Sequence, residues 1–332
     1  MSTSLEPRTP SVDQPEPMLG TAGLSPAAPS RFPSNRKSQI TTRKSNAWIY
    51  ALLAIGSLAF LVPFYFVLNA SLKTDAEVQA GDFITPTRAP ALGNYARSME
   101  KMGLTWWDTG LHLGSSTLKL PASFPALSNT VVITVLVIAG QILSCSLVGF
   151  GFARFKFRGR NTLFILMLST MMLPAQVTMI PMFLLFKSLG MIDSIWPLAL
   201  PAFFASPFYV FMFRQFFAQV PEELIEAARI DGCSNWRIYW QMMLPLSGPV
   251  IAIVAIYTFL GTWNDFLGPL IYLNSPGSRT LAIELNSFKG QYGNTDAHLL
   301  MAASVVCMLP CVLLFFAAQK YFVQSVAQTG MK

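Results

Sequence analysis

The stretch Pro221–Pro249, PEELIEAARIDGCSNWRIYWQMMLPLSGP, is a polar island between two long apolar runs, and its reading decides the rest. Pro221, Glu222 and Glu223 make a helix opening, with proline expected at the first helical position and acids at the positive end of the helix dipole. Gly232 supplies the stop. The helix between these signals has about ten residues, roughly 15 Å at 1.5 Å per residue. A helix that short does not hold its shape alone in water, so it needs a surface to dock on.

Outward from the island the chain is apolar. Hydrophobic residues make up 53% of the 332 and charged residues only 12%, the balance of an integral membrane protein. The net charge of +7 raises nucleic acid as a partner. The basic residues, however, flank apolar spans instead of forming one stripe, so the membrane explains them and no nucleic-acid partner is expected. Cys145, Cys233, Cys307 and Cys311 have no metal-binding spacing, and Cys307 and Cys311 share a helix face as small packing residues.

Residues 1–46 hold seven prolines and no apolar run, and are expected to form a disordered cytoplasmic tail. The apolar run that starts near Ala47 is too long for a secretory signal. Arg36, Lys37, Arg43 and Lys44 crowd its leading edge and hold the N-terminus in the cytoplasm. Six spans of membrane-crossing length follow, at 47–69, 126–150, 162–186, 195–217, 246–273 and 299–322, within a transmembrane domain at 47–323. They return a short tail, 324–332, to the cytoplasm. On this topology 15 of the 23 basic residues are cytoplasmic, and Arg154, Lys156, Arg158 and Arg160 share one cytoplasmic segment without an acid. The island, as loop 218–246, is cytoplasmic too. The outer loop 70–125 carries Trp106 and Trp107, an expected aromatic anchor at the outer interface.

Prolines interrupt the spans: Pro174 and Pro181 in the third, Pro197, Pro201 and Pro207 in the fourth. Each removes a backbone hydrogen bond where no water replaces it, which fits either a transport path or ordinary kinking. The methionines of the third span, among them Met171 and Met179, are filler. The fifth span holds Thr262, Trp263, Asn264 and Asp265, then Gly268 and Pro269. Asp265 is the only acid placed within hydrocarbon, at an insertion cost of about 2.5 to 3.5 kcal/mol. Trp263, Asn264 and Asp265 are therefore the candidate solute path or gate, with helix tying as the competing role.

Within the island, Glu226, Ala227, Ala228, then Gly232, then Leu244 and Pro245 resemble the EAA loop of ABC importer permeases, and Asp231 matches the aspartate that this family favours before the glycine. Cys233, Tyr239 and Met242 depart from the family's usual alanine, phenylalanine and isoleucine while keeping size or apolarity. The similarity extends to Ala153–Arg160 and to Arg214, Gln215 and Phe216. WNDFLGPLIYL at 263–273, FKGQYG at 288–293 and LLMAASVV at 299–306 resemble the carbohydrate-importing, maltose-type branch. The likeness covers most of 94–332; residues 1–46 are unmatched, and about 26 residues near Gly103–Ser128 extend the outer loop beyond the family's usual length.

The resemblance implies an all-α, type I importer permease in a bacterial cytoplasmic membrane, multi-pass, with six transmembrane helices and both termini cytoplasmic. It implies a transport subunit and not an enzyme. The chain would bind no cofactor, ATP and Mg being used by a partner ATPase, which agrees with the lack of a GxxxxGK[ST] loop. Its implied partners are a dimer of cytoplasmic ATP-binding subunits, a second homologous permease, an extracytoplasmic solute-binding protein and the lipid bilayer. The EAA segment would be the coupling helix, with Ala227 and Ala228 allowing close approach, Glu226 supplying charge, and Asp231 capping the next segment or bonding across the interface. The implied mechanism is alternating access for a sugar, with a polyol or a glycerol phosphate as alternatives. An ion-coupled secondary transporter would need an intramembrane relay, and His112 and His298 both fall in outer loops. An intramembrane enzyme would need an HExxH, a GxSxG or a comparable set, and none is present.

Overall fold

The computed structural model of the chain describes residues 47–87, 89–102, 110–113, 116–119, 125–289 and 296–329. The expected tail at 1–46, the Trp106–Trp107 anchor, residues 290–293 of the FKGQYG string and the last three residues lie outside the described residues. The chain divides into two compact units, Met1–Ala54 and Ile55–Lys332. The described part of the first unit is the opening of helix α1 (Ala47–Ser71), where Trp48, Leu52 and Leu53 are exposed.

In the second unit, α1 ends at a polar segment whose backbone is bracketed by side chains. Asn69 Nδ2 donates to the carbonyls of Phe83 and Thr85, each at 2.9 Å. Helix α2 (Asp75–Gln79) and helix α3 (Gly93–Lys101) follow, and Asn94 Nδ2 ties α3 back to the carbonyls of Ser71 and Lys73. Lys73 is fully buried, which is tolerated because its ammonium lies 3.2 Å from the Asp82 carboxylate. Strands β1 (Gly110–Leu113) and β2 (Ser116–Lys119) pair antiparallel. This small hairpin, within the stretch expected to extend the outer loop, is the only strand pairing among the described residues and the one correction to the expected all-α class.

The remaining elements are helical. They are α4 (Pro125–Arg154), α5 (Arg160–Ser169), α6 (Ala175–Ser188), α7 (Trp196–Ala199), α8 (Pro207–Gln219), α9 (Glu222–Ile230), α10 (Asn235–Ile238), α11 (Leu244–Leu246), α12 (Gly248–Trp263), α13 (Leu267–Tyr272), α14 (Leu281–Ser287) and α15 (Ala297–Thr329). Among the described residues four helical runs are long and apolar enough to cross a membrane: Trp48–Ser71, Pro125–Arg154, Trp196–Gln219 and Ala297–Gln319. Two further apolar pairs are bent, Arg160–Met172 against Ala175–Ser188 by 95° and Asn235–Leu246 against Gly248–Trp263 by 72°. Helix α15 continues through Thr329, so residues 324–329, expected as tail, are helical.

The breaks fall where proline chemistry puts them. Leu173, before Pro174, is forced to an extended ψ of 120°, and α6 restarts after the proline. In the fourth span a 3₁₀ turn at Leu200–Phe204 leads to Ala205 at φ +62° and an extended Ser206 before Pro207. Neighbouring α4 satisfies the groups this break exposes: Ser144 Oγ donates to the Ala202 carbonyl at 2.9 Å, and the Ser206 N–H donates to Cys145 Sγ at 3.2 Å. The two helices approach closely at Gly149, where a Cβ would sit 2.7 Å from Phe213 Cβ. The expected continuous span at 246–273 is corrected: α12 stops at Trp263, and α13 begins only at Leu267. Pro269 has no N–H to offer the Asp265 carbonyl, so the helical ladder cannot run through.

Candidate functional site

The island folds as two short helices on a core built from α4, α8 and α12. Helix α9 starts at Glu222, so Pro221 is its N-cap, with φ −54° and ψ 138°, and not its first helical residue as the sequence suggested. The helix ends in a Schellman turn: the Cys233 N–H donates to the Ala228 carbonyl at 2.9 Å and the Gly232 N–H to the Arg229 carbonyl at 3.0 Å. This turn needs Gly232 at φ +80°. Asp231 is the C-cap of α9 and is exposed; the following helix is capped by Ser234, whose hydroxyl accepts from the Arg237 N–H at 3.3 Å. The expected capping role of Asp231 therefore belongs to Ser234. Arg229 reaches Asn235 Oδ1 at 3.5 Å, on the side of α10.

The two alanines of the motif point different ways. Ala228 is buried beside Ile225 in this chain's own core, so it packs α9 down and is not open to a partner. Ala227 and Glu226 are exposed, and with Leu224 and Ile230 at spacing i, i+3, i+6, Ala227 makes an open apolar stripe. Ile230 is 86% exposed, an apolar cost that only a covering surface removes.

Beneath α10 the core is aromatic. Tyr239 is buried, its ring near Phe150 and stacked on Trp236, and its hydroxyl lies 2.7 Å from Ser146 Oγ on α4. Arg154, the last residue of α4, donates to the carbonyls of Phe217 and Val220 and so fixes the chain entering the island. Leu244 is half-buried against this core and Pro245 is exposed. Pro245 cannot donate to the Gln241 carbonyl, and the preceding turn, Tyr239–Met243, is π-helical. The motif thus spans a rigid elbow from α9 to α12.

The second candidate cluster does not stay together. Trp263 is buried, stacks on Phe259 and donates from Nε1 to the Cys307 carbonyl at 3.1 Å, which ties α12 to α15. Asn264 is exposed, and both residues line a cavity of about 570 Å³ with Phe266, Leu281, Ser304 and Cys307. Asp265 faces a separate pocket of about 70 Å³ beside Thr130, Thr262 and Thr280, and its Oδ1 accepts from the Gly268 N–H at 3.2 Å. It caps the start of α13.

Sequence reasoning passed over Asp193. Asp193, at φ +62° between α6 and α7, accepts from the Asn274 and Ser275 N–H groups, each at 2.9 Å, and from the hydroxyls of Ser275 and Ser278. Burial alone would raise its carboxyl; the bonds from Ser275, Ser278 and Asn274 outweigh that and lower it to about 2. A single Asp in a loop gives no periodic signal by which to find it. His298, expected in an outer loop, is the second residue of α15, with Nδ1 3.2 Å from an Asp75 oxygen.

Residues 145–328 match the family described as binding-protein-dependent transport system inner membrane component. The chain belongs to this family. The match takes in both candidate clusters of this inner-membrane component, from the island to Trp263–Asp265. The chain is 34% identical over 296 residues to the arabinooligosaccharides transport system permease protein AraQ of Halalkalibacterium halodurans, covering 87% of this chain and 99% of that one. It is 30% identical to the sn-glycerol-3-phosphate transport system permease protein UgpE of Yersinia enterocolitica, covering 86% of this chain and 98% of that one. In fold it is similar to a chain of a bacterial ABC transporter involved in the import of the acidic polysaccharide alginate, with a TM-score of 0.70, 20% identity, and coverage of 85% of this chain and 98% of that one.

Proposed function

We propose that this inner-membrane component is one permease half of an ATP-driven importer that carries a sugar into the cytoplasm. Counting the pair Arg160–Met172 and Ala175–Ser188 as one crossing, and the Gly248–Trp263 limb of the other pair as another, gives six spans, with both termini and the 218–246 loop cytoplasmic and the 70–125 segment outside. Residues 47–323 then form the transport domain, between cytoplasmic tails at 1–46 and 324–332. A dimer of separate ATPase subunits, using ATP and Mg, drives the movement, a second homologous permease completes the pore, and a solute-binding protein delivers the solute from outside.

The observation that carries this reading is the open stripe of Leu224, Ala227 and Ile230 on a helix whose other face is locked into the membrane core through Ile225 and Ala228. A surface helix that is apolar on both sides is suited to transmit a push: one side takes the partner, the other delivers force to α4, α8 and α12. Glu226 supplies charge at the stripe's edge, Asp231 and Gly232 shape its end, and Leu244 and Pro245 form the elbow into α12. ATP-driven closure of the ATPase pair moves these elbows and alternates access to the membrane cavity. Trp263, Asn264 and Asp265 stand at the break where α12 gives way to α13, and there serve as solute path or gate.

The sugar rests on relatives such as the arabinooligosaccharide permease. A glycerol phosphate is the second reading, favoured by the similarity to the sn-glycerol-3-phosphate permease. Vesicles holding the full transporter, its binding protein and internal ATP, offered labelled arabinooligosaccharide or glycerol 3-phosphate, test both. Uptake of the sugar that stops without ATP is expected; uptake driven by a proton gradient without ATP would overturn the importer reading.

A further inference from the structure

We propose that the turn between α4 and α5 is a built site for the phosphodiester headgroup of an anionic phospholipid. The inference rests on the membrane placement of the chain and not on its solute. After α4 the chain leaves the helix at Phe155, Lys156 and Phe157. The two phenylalanines fold back onto α4: the Phe155 ring lies 5.6 Å from Phe150 and the Phe157 ring 6.0 Å from Phe152. Arg158 follows, Gly159 reverses the chain at φ +80°, and Arg160 opens α5. Lys156, Arg158 and Arg160 then line one open cavity of about 510 Å³ with Phe157, Asn161 and Thr162. None of the three cations makes an ion pair among the described residues.

The depth of the cavity selects the occupant. Leu163, Ile165 and Leu166 are 50%, 66% and 61% exposed on α5, so acyl-chain surface begins three residues beyond Arg160. Phe155 and Phe157, 39% and 44% exposed, stand beside the cations at the same level. Cations over an apolar wall match an anion that carries its own acyl chains, whereas a soluble anion has no use for that wall. An acidic surface of the ATPase is the competing occupant, and the loss or retention of the ATPase subunits in the test below separates the two.

Native mass spectrometry of the purified full transporter, with phosphatidylglycerol or phosphatidylcholine added, tests the site. The wild type is expected to retain phosphatidylglycerol in preference, and excess inorganic phosphate is expected not to displace it. Arg158→Gln should weaken retention about fivefold, while Lys187→Gln, which removes one charge from α6, should not. Gly159→Ala keeps every charge, and its Cβ meets nothing within 4 Å, but it opposes the positive φ that gathers the cations. It should weaken retention as Arg158→Gln does; unchanged retention would reduce the site to general surface attraction and overturn the proposal. Equal retention of both lipids by the wild type, which needs no variant, would overturn it as well. So would displacement by inorganic phosphate, or loss of the ATPase subunits from Arg158→Gln with lipid retention intact.

Discussion

The Tyr239 hydroxyl lies 2.7 Å from Ser146 Oγ, joining the island to the C-terminal half of α4. Both residues are buried, and Ser146 also bonds the Ile142 carbonyl within its own helix. Removing one partner is therefore unequal. Ser146→Ala strands a buried phenol and should cost about 1 to 3 kcal/mol, while Tyr239→Phe leaves Ser146 satisfied within α4 and should cost about 1 kcal/mol or less. Thermal unfolding of the purified complex should show the double variant closer to wild type than Ser146→Ala alone. A double variant less stable than Ser146→Ala would show that the hydroxyl pair is not what joins the two elements.

Gly232 sits at φ +80° with open space where a Cβ would go, so a substitution there is opposed by backbone conformation alone. Gly232→Ala should cost about 1 kcal/mol and Gly232→Val more, because a β-branched residue resists this region further. Membrane insertion should be retained while the ATPase subunits are lost or ATP-driven uptake fails. Co-purification with the ATPase and normal uptake by Gly232→Val would contradict the coupling role.

Asp265 holds the Gly268 N–H through Oδ1, a bond that asparagine can reproduce. Asp265→Asn should therefore preserve assembly and stability while changing transport kinetics, and Asp265→Ala should lose about 1 kcal/mol with the cap. Uptake assays set against unfolding curves separate the two effects. Wild-type uptake by Asp265→Asn would confine the residue to its capping role.

Asp193 has its carboxyl depressed to about 2, since hydrogen bonds from Ser275, Ser278 and Asn274 outweigh the burial that would raise it. A depressed carboxyl stabilises the fold fully above its unfolded value of about 3.9 and loses that contribution as pH falls towards 2. The stability difference between wild type and Asp193→Asn should be constant from about pH 5 to 8 and shrink progressively below about pH 4. A difference that does not change with pH would place the stabilisation elsewhere than in the ionised carboxylate.

The length of the apolar runs and the proline positions determined the helical membrane fold, because a segment of span length satisfies its own backbone polar groups whatever surrounds it. The Gly232 stop and the break at Pro174 were equally local, each fixed by what one residue's backbone permits. The aspartate at 265 was visible in the sequence as an anomaly, but whether it met a helix, a cavity or its own neighbours depended on where α13 began. Nothing local distinguished Ala227 from Ala228, or marked Ser146 as the partner of Tyr239, 93 residues away. Those assignments required the docking of α9 and α10 onto α4, which decides the face of a short helix that is covered and the face that stays open. The same holds at the turn after α4: the sequence supplied three cations, and only the folded turn, with Gly159 at φ +80°, brings Lys156, Arg158 and Arg160 to one cavity. Charge is a property of residues, but its convergence is a property of packing.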